Sequence, residues 1–456
     1  MSGHQERNAF WEEKAGALLK AARGAGAGLE VRFYESDNLS VKVRKGQVEE
    51  LRRTAPFGAG LRVFREGRSV TAATAKVDDA NLSGLLERLL ANVLLVDPDE
   101  AHGLPEPALL YRGGGPALDL FDEAASALTV EKALDMARAC EQAAFDADLA
   151  IRNSSGAGVG VGWGRGWLFS TDGLAASSAT SSVSIYASPV AEDARGLKKS
   201  ESWWHEARHL GDLEAAEAVG RVAGTRAARM LGAVKGSTGR FPVLFSPQTA
   251  EALVTTLFES VSGTSVYRKS TFLGDREGKR VAADAVTIVD DPHRVRGLGS
   301  QLFDGEGVET RARVLVDKGV LTFFPCDVFS ARKLGTVSTG HSARGLAGTG
   351  GVGFSNLHLQ PGTETPEALM ARMGEGLLVT SFIGFGFNMA TGDFSRGVEG
   401  LWVKDGKPSH PVHEISVSSN LGAMLEAVAG VGSDLEVRGA VASPSLLVEG
   451  MTVSGS

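Results

Sequence analysis

Cysteine is nearly absent: Cys140 and Cys326 are the only two in 456 residues, far apart and in no C-x-x-C spacing. That excludes a disulfide framework and fits a reducing compartment. Nowhere do 18 consecutive apolar residues occur, so no membrane-spanning helix is expected. The polar segment 1–7 also lacks the apolar run of a signal peptide. These absences predict a soluble, cytoplasmic protein with no membrane partner. Long Lys/Arg runs are missing as well, and the formal net charge is −8, which argues against direct nucleic-acid binding through phosphate neutralisation. The chain has no Walker loop, no G-x-S-x-G elbow and no repeat of 20 to 50 residues.

What is present is ordinary for a folded protein, with 43% hydrophobic and 22% charged residues. The length calls for two or three packed domains. Glycine is the exception: 58 glycines against 15 prolines imply many tight turns and close backbone approaches. Along the chain, 6–22 reads as an amphipathic helix facing inward through Phe10, Ala15, Leu18 and Leu19. Five short strands follow at 30–34, 39–44, 48–53, 60–64 and 69–75, with turns at Lys45-Gly46 and Glu66-Gly67, as an antiparallel meander. A leucine-rich helix at 79–96 closes this unit. The Pro/Gly-rich segment 103–116 reads as a linker. A helix at 130–146, a string of strands with glycine corners at 150–189 and a long helix at 212–231 form the next block. From Arg240 strands dominate, with helices at 247–262, 327–334, 366–373 and 421–428. The expected fold is α+β: amino-terminal helix/antiparallel-sheet domains at 1–118 and 119–235, then a strand-rich, barrel-like domain at 236–456.

Three short motifs invite chemistry. His205-Glu206-Ala207-Arg208-His209 is a literal H-E-x-x-H, which on a helix would hold zinc beside a Glu base. Here Trp203-Trp204 suits the end of a strand and Gly211-Asp212 a boundary, so exposed linker residues are expected. Gly348-Thr349-Gly350-Gly351-Val352-Gly353 has dinucleotide-loop spacing, but a strand and not a helix follows. Ser330-Ala331-Arg332-Lys333 has the S-x-x-K spacing of serine acyl enzymes without their companion elements.

The carboxy-terminal half carries a longer pattern. Gly384-Phe385-Gly386-Phe387-Asn388 through Thr391-Gly392-Asp393-Phe394-Ser395-Arg396-Gly397 resembles the signature of the PmbA/TldE branch of the TldD/PmbA family. Phe303-Asp304-Gly305-Glu306-Gly307, Ser338-Thr339-Gly340 and Pro411-Val412-His413-Glu414 stand around it in the family's order. The resemblance implies a heteromeric peptidase in which a TldD-type subunit supplies zinc through an H-E-x-x-x-H helix and a late cysteine. In this chain the corresponding helix, ahead of Gly263-Thr264-Ser265, reads Val254-Thr255-Thr256-Leu257-Phe258-Glu259 without histidine, and 443–451 has no cysteine. The resemblance thus implies no catalytic residue and no metal in this chain. Zinc is expected in a TldD-type partner, and peptide is the shared substrate. A homodimer is a possibility in the partner's absence. Gly384, Asn388, Thr391, Gly392, Asp393, Ser395 and Arg396 are the candidate peptide groove or partner interface. Two alternatives stand beside this reading: an independent zinc peptidase using His205 and His209, and a regulatory protein-binding module of gyrase-modulator type.

Overall fold

A computed structural model describes residues 2–346, 348 and 350–455, with side chains from Arg7 onward. The amino-terminal half is built on one eight-stranded sheet. Its first strand, β1 (Gly28–Arg44), is a single 17-residue run and not the two short strands expected. β2 (Gln47–Thr54) returns along the second half of β1 through the Lys45-Gly46 turn, where both residues have positive φ. β3 (Phe57–Arg65) then pairs with the first half of the same β1 edge, and β4 (Arg68–Thr74) pairs with β3. The expected meander is therefore a long strand with two shorter strands placed in tandem along one edge. It is long because Leu29, Val31 and Phe33 and then Leu39, Val41 and Val43 keep to one face on either side of the polar stretch 35–38, and the turn chemistry comes only at Lys45.

On the other edge, β5 (Ile151–Ser170) and β6 (Ala175–Glu192) are two long strands joined at Asp172-Gly173. Of the glycine corners expected here, only an irregularity at Gly156 and the turn at Gly173 are present, both at positive φ. Gly158, Gly160, Gly162, Gly164 and Gly166 instead alternate along β5 on the face opposite Val159 and Val161, which are core residues. Their missing side chains make room for neighbours: a Cβ at Gly158 would lie 2.7 Å from the Tyr186 ring, and one at Gly164 2.9 Å from the Tyr34 hydroxyl. β7 (Lys198–Ser200) and β8 (Trp203–Ala207) complete the sheet beside β6.

Helices cover the apolar face in two groups. α1 (Ser2–Gly24) buries Trp11, Ala15, Leu18 and Ala22, and Trp11 stacks on Phe33 at 4.3 Å. Phe10, expected inside, is 49% exposed, because the 11/15/18/22 stripe excludes its neighbour by helical phase. α2 (Asp79–Asn92) is capped by Asp78 and buries Leu82, Leu85, Leu86 and Leu89. Over the other half lie the helices Val130–Asp146 and Ala216–Arg229. Gly220 and Gly224 are contact points and not breaks, since a Cβ there would strike the Cys140 and Ala144 carbonyls. Cys140 is buried between them, and desolvation pushes its thiol up to about 12.

The carboxy-terminal half contains a closed five-stranded barrel. Strand Gly239–Phe245 runs parallel to Gly376–Ile383, which pairs with Asp393–Lys404, then Lys407–Asn420, then Leu446–Gly455, and the last returns to the first. Closure pairs each of these five strands on both sides. Its core includes Phe245, Val379, Phe394, Val417 and Val453, and helix Pro247–Val261 packs into the same core through Leu253, Leu257 and Phe258. A six-stranded sheet including Ile288–Asp290, Leu357–Leu359 and Val441–Ser443 lies beside it. No helix among the described residues is long and apolar enough to cross a membrane.

Candidate functional site

The segment 384–397 links two barrel strands. Gly384 turns the chain at φ 70°, and Ile383 and Phe385 beside it are 53% and 102% exposed. The Gly386 carbonyl accepts from Ser395 N–H at 2.7 Å, and a Cβ at Gly386 would collide with the Ser395 carbonyl. Asn388 organises the far end: its N–H donates to the Asp393 carbonyl at 2.8 Å, its carbonyl accepts from Gly392 N–H at 2.7 Å, and its side-chain oxygen accepts from Ala390 N–H at 3.0 Å. Thr391 Oγ1 donates to Asp393 at 2.7 Å. Gly392 is buried at φ 79°, 2.8 Å from the Asn420 amide nitrogen if given a Cβ. The Arg396 guanidinium donates to the Gly384 carbonyl at 2.8 Å and lies 4.1 Å over the Phe382 ring. The structure thus brings all seven candidate residues together: Gly384, Asn388, Thr391 and Gly392 in the turn, and Asp393, Ser395 and Arg396 at the start of strand Asp393–Lys404. Gly392 and Arg396 hold the turn together, while Asn388, Thr391, Asp393 and Ser395 are exposed. The segment adjoins the turn after helix Gly263–Tyr267, because Phe272 N–H donates to the Met389 carbonyl at 3.0 Å.

The resemblance implies a family-type zinc site on helix Pro247–Val261. Val254 and Leu257 are buried, the hydroxyls of Thr255 and Thr256 donate to the carbonyls of Glu251 and Ala252 one turn back, and Glu259 is exposed. Strand Val441–Ser443 packs against this helix and presents Ala442 and Ser443. Apolar side chains and hydroxyls spent on backbone do not fit a zinc ion, which takes Cys, His or carboxylate ligands. Among the described residues no group of three or more His, Cys, Asp or Glu is arranged to hold a metal. One carboxyl on the helix is perturbed: burial, then the charge of Glu436, pushes Glu251 up to about 8.

His205 lies on β8, not on a helix, and His209 precedes the short 3-10 turn Leu210–Asp212. Neither is the exposed linker residue expected. His205 Nδ1 accepts from Glu214 N–H at 3.2 Å, and burial lowers its pKa. His209 Nε2 meets the Asp119 carbonyl at 2.9 Å, and its side chain is 15% exposed. The rings serve different partners because strand β8 is held to β6, with His205 opposite Ile185. In the S-x-x-K segment, the Ser330 side chain is committed to a capping box with Asp327, and Lys333 reaches away to Asp99 at 2.6 Å. In the glycine loop, Thr349 lies outside the described residues, while Gly351–Val352 pairs with Ser342–Ala343 and leads to a strand.

A feature the sequence reading passed over lies between the amino-terminal sheet and the 303–307 segment. Arg344, 2% exposed, reaches Glu30 at 3.3 Å and Glu306 at 3.8 Å, and Arg62 reaches Glu306 at 3.3 Å. Arg32 donates to the Gly305 carbonyl. Asp304 accepts from the N–H groups of Glu306, Val308 and Ser342 at 2.8, 3.0 and 2.9 Å. Burial, then the charge of Glu306, nonetheless pushes its carboxyl up to about 7. A cavity of about 560 Å³ opens beside this network, lined among others by Arg32, Thr180, Arg208 and Asp304. The alternation of acids at 304 and 306 with glycines was the available sequence signal; their arginine partners lie hundreds of residues upstream, at Arg32 and Arg62, or just past the short strand Ser342–Ala343, at Arg344.

Comparison with known proteins covers most of the chain. Residues 29–93 match the PmbA/TldA metallopeptidase domain 1, 123–231 the central domain and 238–455 the C-terminal domain. The chain is 32% identical to the Metalloprotease PmbA of Escherichia coli O157:H7 over 97% of its length and 96% of that protein. It is 33% identical to the Metalloprotease PmbA homolog of Haemophilus influenzae, covering 96% and 94%. A solved structure from Bacteroides thetaiotaomicron, presented as a proposed modulator of DNA gyrase, superposes with TM-score 0.90 at 27% identity, covering 98% and 99%. TldE from Thermococcus kodakarensis shares the fold, with TM-score 0.87 at 20% identity over 97% and 100%.

Proposed function

Because this chain belongs to the PmbA/TldD metallopeptidase family, we propose that it stands on the PmbA/TldE side of that family, as the subunit without zinc ligands of a heteromeric peptidase. Its partner is a TldD-type chain that carries the zinc, and the pair acts on unfolded or small peptides. One observation carries this reading: helix Pro247–Val261, where the resemblance implies the family's metal, has no histidine, and the strand packed on it, Val441–Ser443, has no cysteine. Zinc catalysis needs about three protein ligands and an open water position. The 384–397 turn supports a role in the assembly, since exposed Ile383 and Phe385 stand beside polar Asn388, Thr391 and Asp393. Such a mixture of apolar tip and polar rim is typical of contact surfaces. We assign that turn to the peptide groove or the partner interface.

The test is metal content by mass spectrometry together with cleavage of an unstructured peptide, for this chain, a TldD-type partner and their mixture. The expected result is no stoichiometric zinc and no cleavage by this chain alone, and a gain in cleavage by the partner when it is added. One zinc per chain with chelator-sensitive cleavage and no partner present would return His205 and His209 to consideration.

A further inference from the structure

β2 is the least protected element of the fold. Every residue from Gln47 to Arg53 is exposed, on both faces, including Val48 at 46% and Leu51 at 52%. Among the described residues β2 pairs with β1 alone, so its outer edge presents unpaired backbone N–H and C=O groups. Proteins usually blunt such an edge with a bulge and with charge. A register shift opposite Lys42/Val43 does sit at Glu49, but from Glu50 to Thr54 the strand is regular. The charges are arranged to attract and not to repel. The order Glu49-Glu50-Leu51-Arg52-Arg53 reads with opposite signs in the two directions. Two copies running antiparallel about Leu51 would place Glu50 opposite Arg52, Arg52 opposite Glu50, and the two exposed Leu51 side chains against each other. Glu49 and Arg53 already serve within the chain, paired with Lys42 and Asp37 at 2.6 Å each. Glu50 and Arg52 form no ion pair among the described residues.

From this we infer that β2 is the edge through which two copies of this chain associate, antiparallel and centred on Leu51, joining their sheets into one. The inference rests on the strand alone and not on the peptidase reading. Directly opposite charges stabilise an antiparallel pair and like charges destabilise it, so the charge order selects a copy of the same strand.

The experiment is sedimentation of the purified chain across a concentration series at low salt. Wild type is expected to reach twice the 47.6 kDa chain mass. Glu50→Arg and Arg52→Glu each put like charges opposite one another twice per dimer, and each is expected to raise the dissociation constant about tenfold or more. Mixing the two variants restores both opposite-sign pairs and is expected to restore the dimer, which guards against simple misfolding. Hydrogen exchange should show concentration-dependent protection of the 50–52 amides. A wild type that stays monomeric, a dimer indifferent to either reversal, or a mixture no better than its components would overturn the assignment.

Discussion

Arg344→Met is the sharpest probe of how the two halves of the molecule are held together. The guanidinium lies 2% exposed between Glu30 on β1 and Glu306 in the 303–307 segment, at 3.3 and 3.8 Å. Methionine preserves most of the side-chain volume but leaves two buried carboxylates short of a cation. Breaking a buried pair costs about 3–5 kcal/mol. Glu306 keeps Arg62 at 3.3 Å, so most of the loss falls on Glu30 and the lower half of that range, about 3–4 kcal/mol, is expected. Five of the six tryptophans, Trp11, Trp163, Trp167, Trp203 and Trp204, report the amino-terminal sheet and only Trp402 the barrel. Urea unfolding followed by fluorescence and by far-UV circular dichroism should therefore separate into two transitions in the variant. Adding Glu30→Met should recover part of the loss, because a buried pair replaced by apolar groups is often neutral. A loss under about 1 kcal/mol with coincident transitions would show that the buried network does not couple the sheet to the barrel half.

Three further outcomes are expected. His205→Ala with His209→Ala removes two partly buried hydrogen bonds and should cost about 1–3 kcal/mol in urea unfolding without changing metal content; loss of bound zinc would refute this. Gly392→Val must place a β-branched residue at φ 79° against Asn420, so a loss of about 1–3 kcal/mol from strain alone is expected, and an unchanged melting temperature would be incompatible with the turn described. Asp304 is held up to about 7 by burial first and Glu306 second; its folded pKa being above its unfolded value, its contribution is full below about 4 and is lost as pH rises through 7. Asp304→Asn, compared with wild type by denaturation at pH 5 and pH 8, should therefore look more favourable at pH 8, and a pH-independent difference would count against a raised pKa.

The α+β class and most element positions were legible because apolar spacing and turn residues carry them. Helices at Val130–Asp146 and Pro366–Met373 fall where the periodicity places them. Strand length was not legible. β1 looked like two strands because Glu35, Ser36, Asp37 and Asn38 interrupt the apolar alternation, yet Phe33 and Leu39 keep the same face across the gap. β5 looked broken because its glycines resemble corners, whereas they are one face of a long strand whose neighbours supply the bulk. The turn at 384–397 was legible as an unusual run of residue types. Its internal division of labour was not, since which residues hold the turn and which face outward depends on Asn420 and Phe272, far away in sequence.

The two histidines and the histidine-free helix teach the same lesson from opposite sides. A spacing of four residues brings two side chains within about 6 Å on a helix, but along a strand it separates them by about 13 Å. Zinc–nitrogen bonds are about 2.1 Å long, so the spacing is a metal motif only on a helix. His205 sits on a strand and His209 stays extended, with φ −110° and ψ 139°, and each ring is turned to a separate partner. Helix Pro247–Val261 has the geometry that the spacing would need, and its side chains go instead to core packing and to hydroxyl bonds with its own carbonyls. Donors without the helix and a helix without the donors leave neither place able to assemble three ligands. On the function proposed above, the chain contributes to peptide hydrolysis through the surfaces it presents to others, and the exposed turn at Ile383 and Phe385 is the place to measure that contribution first.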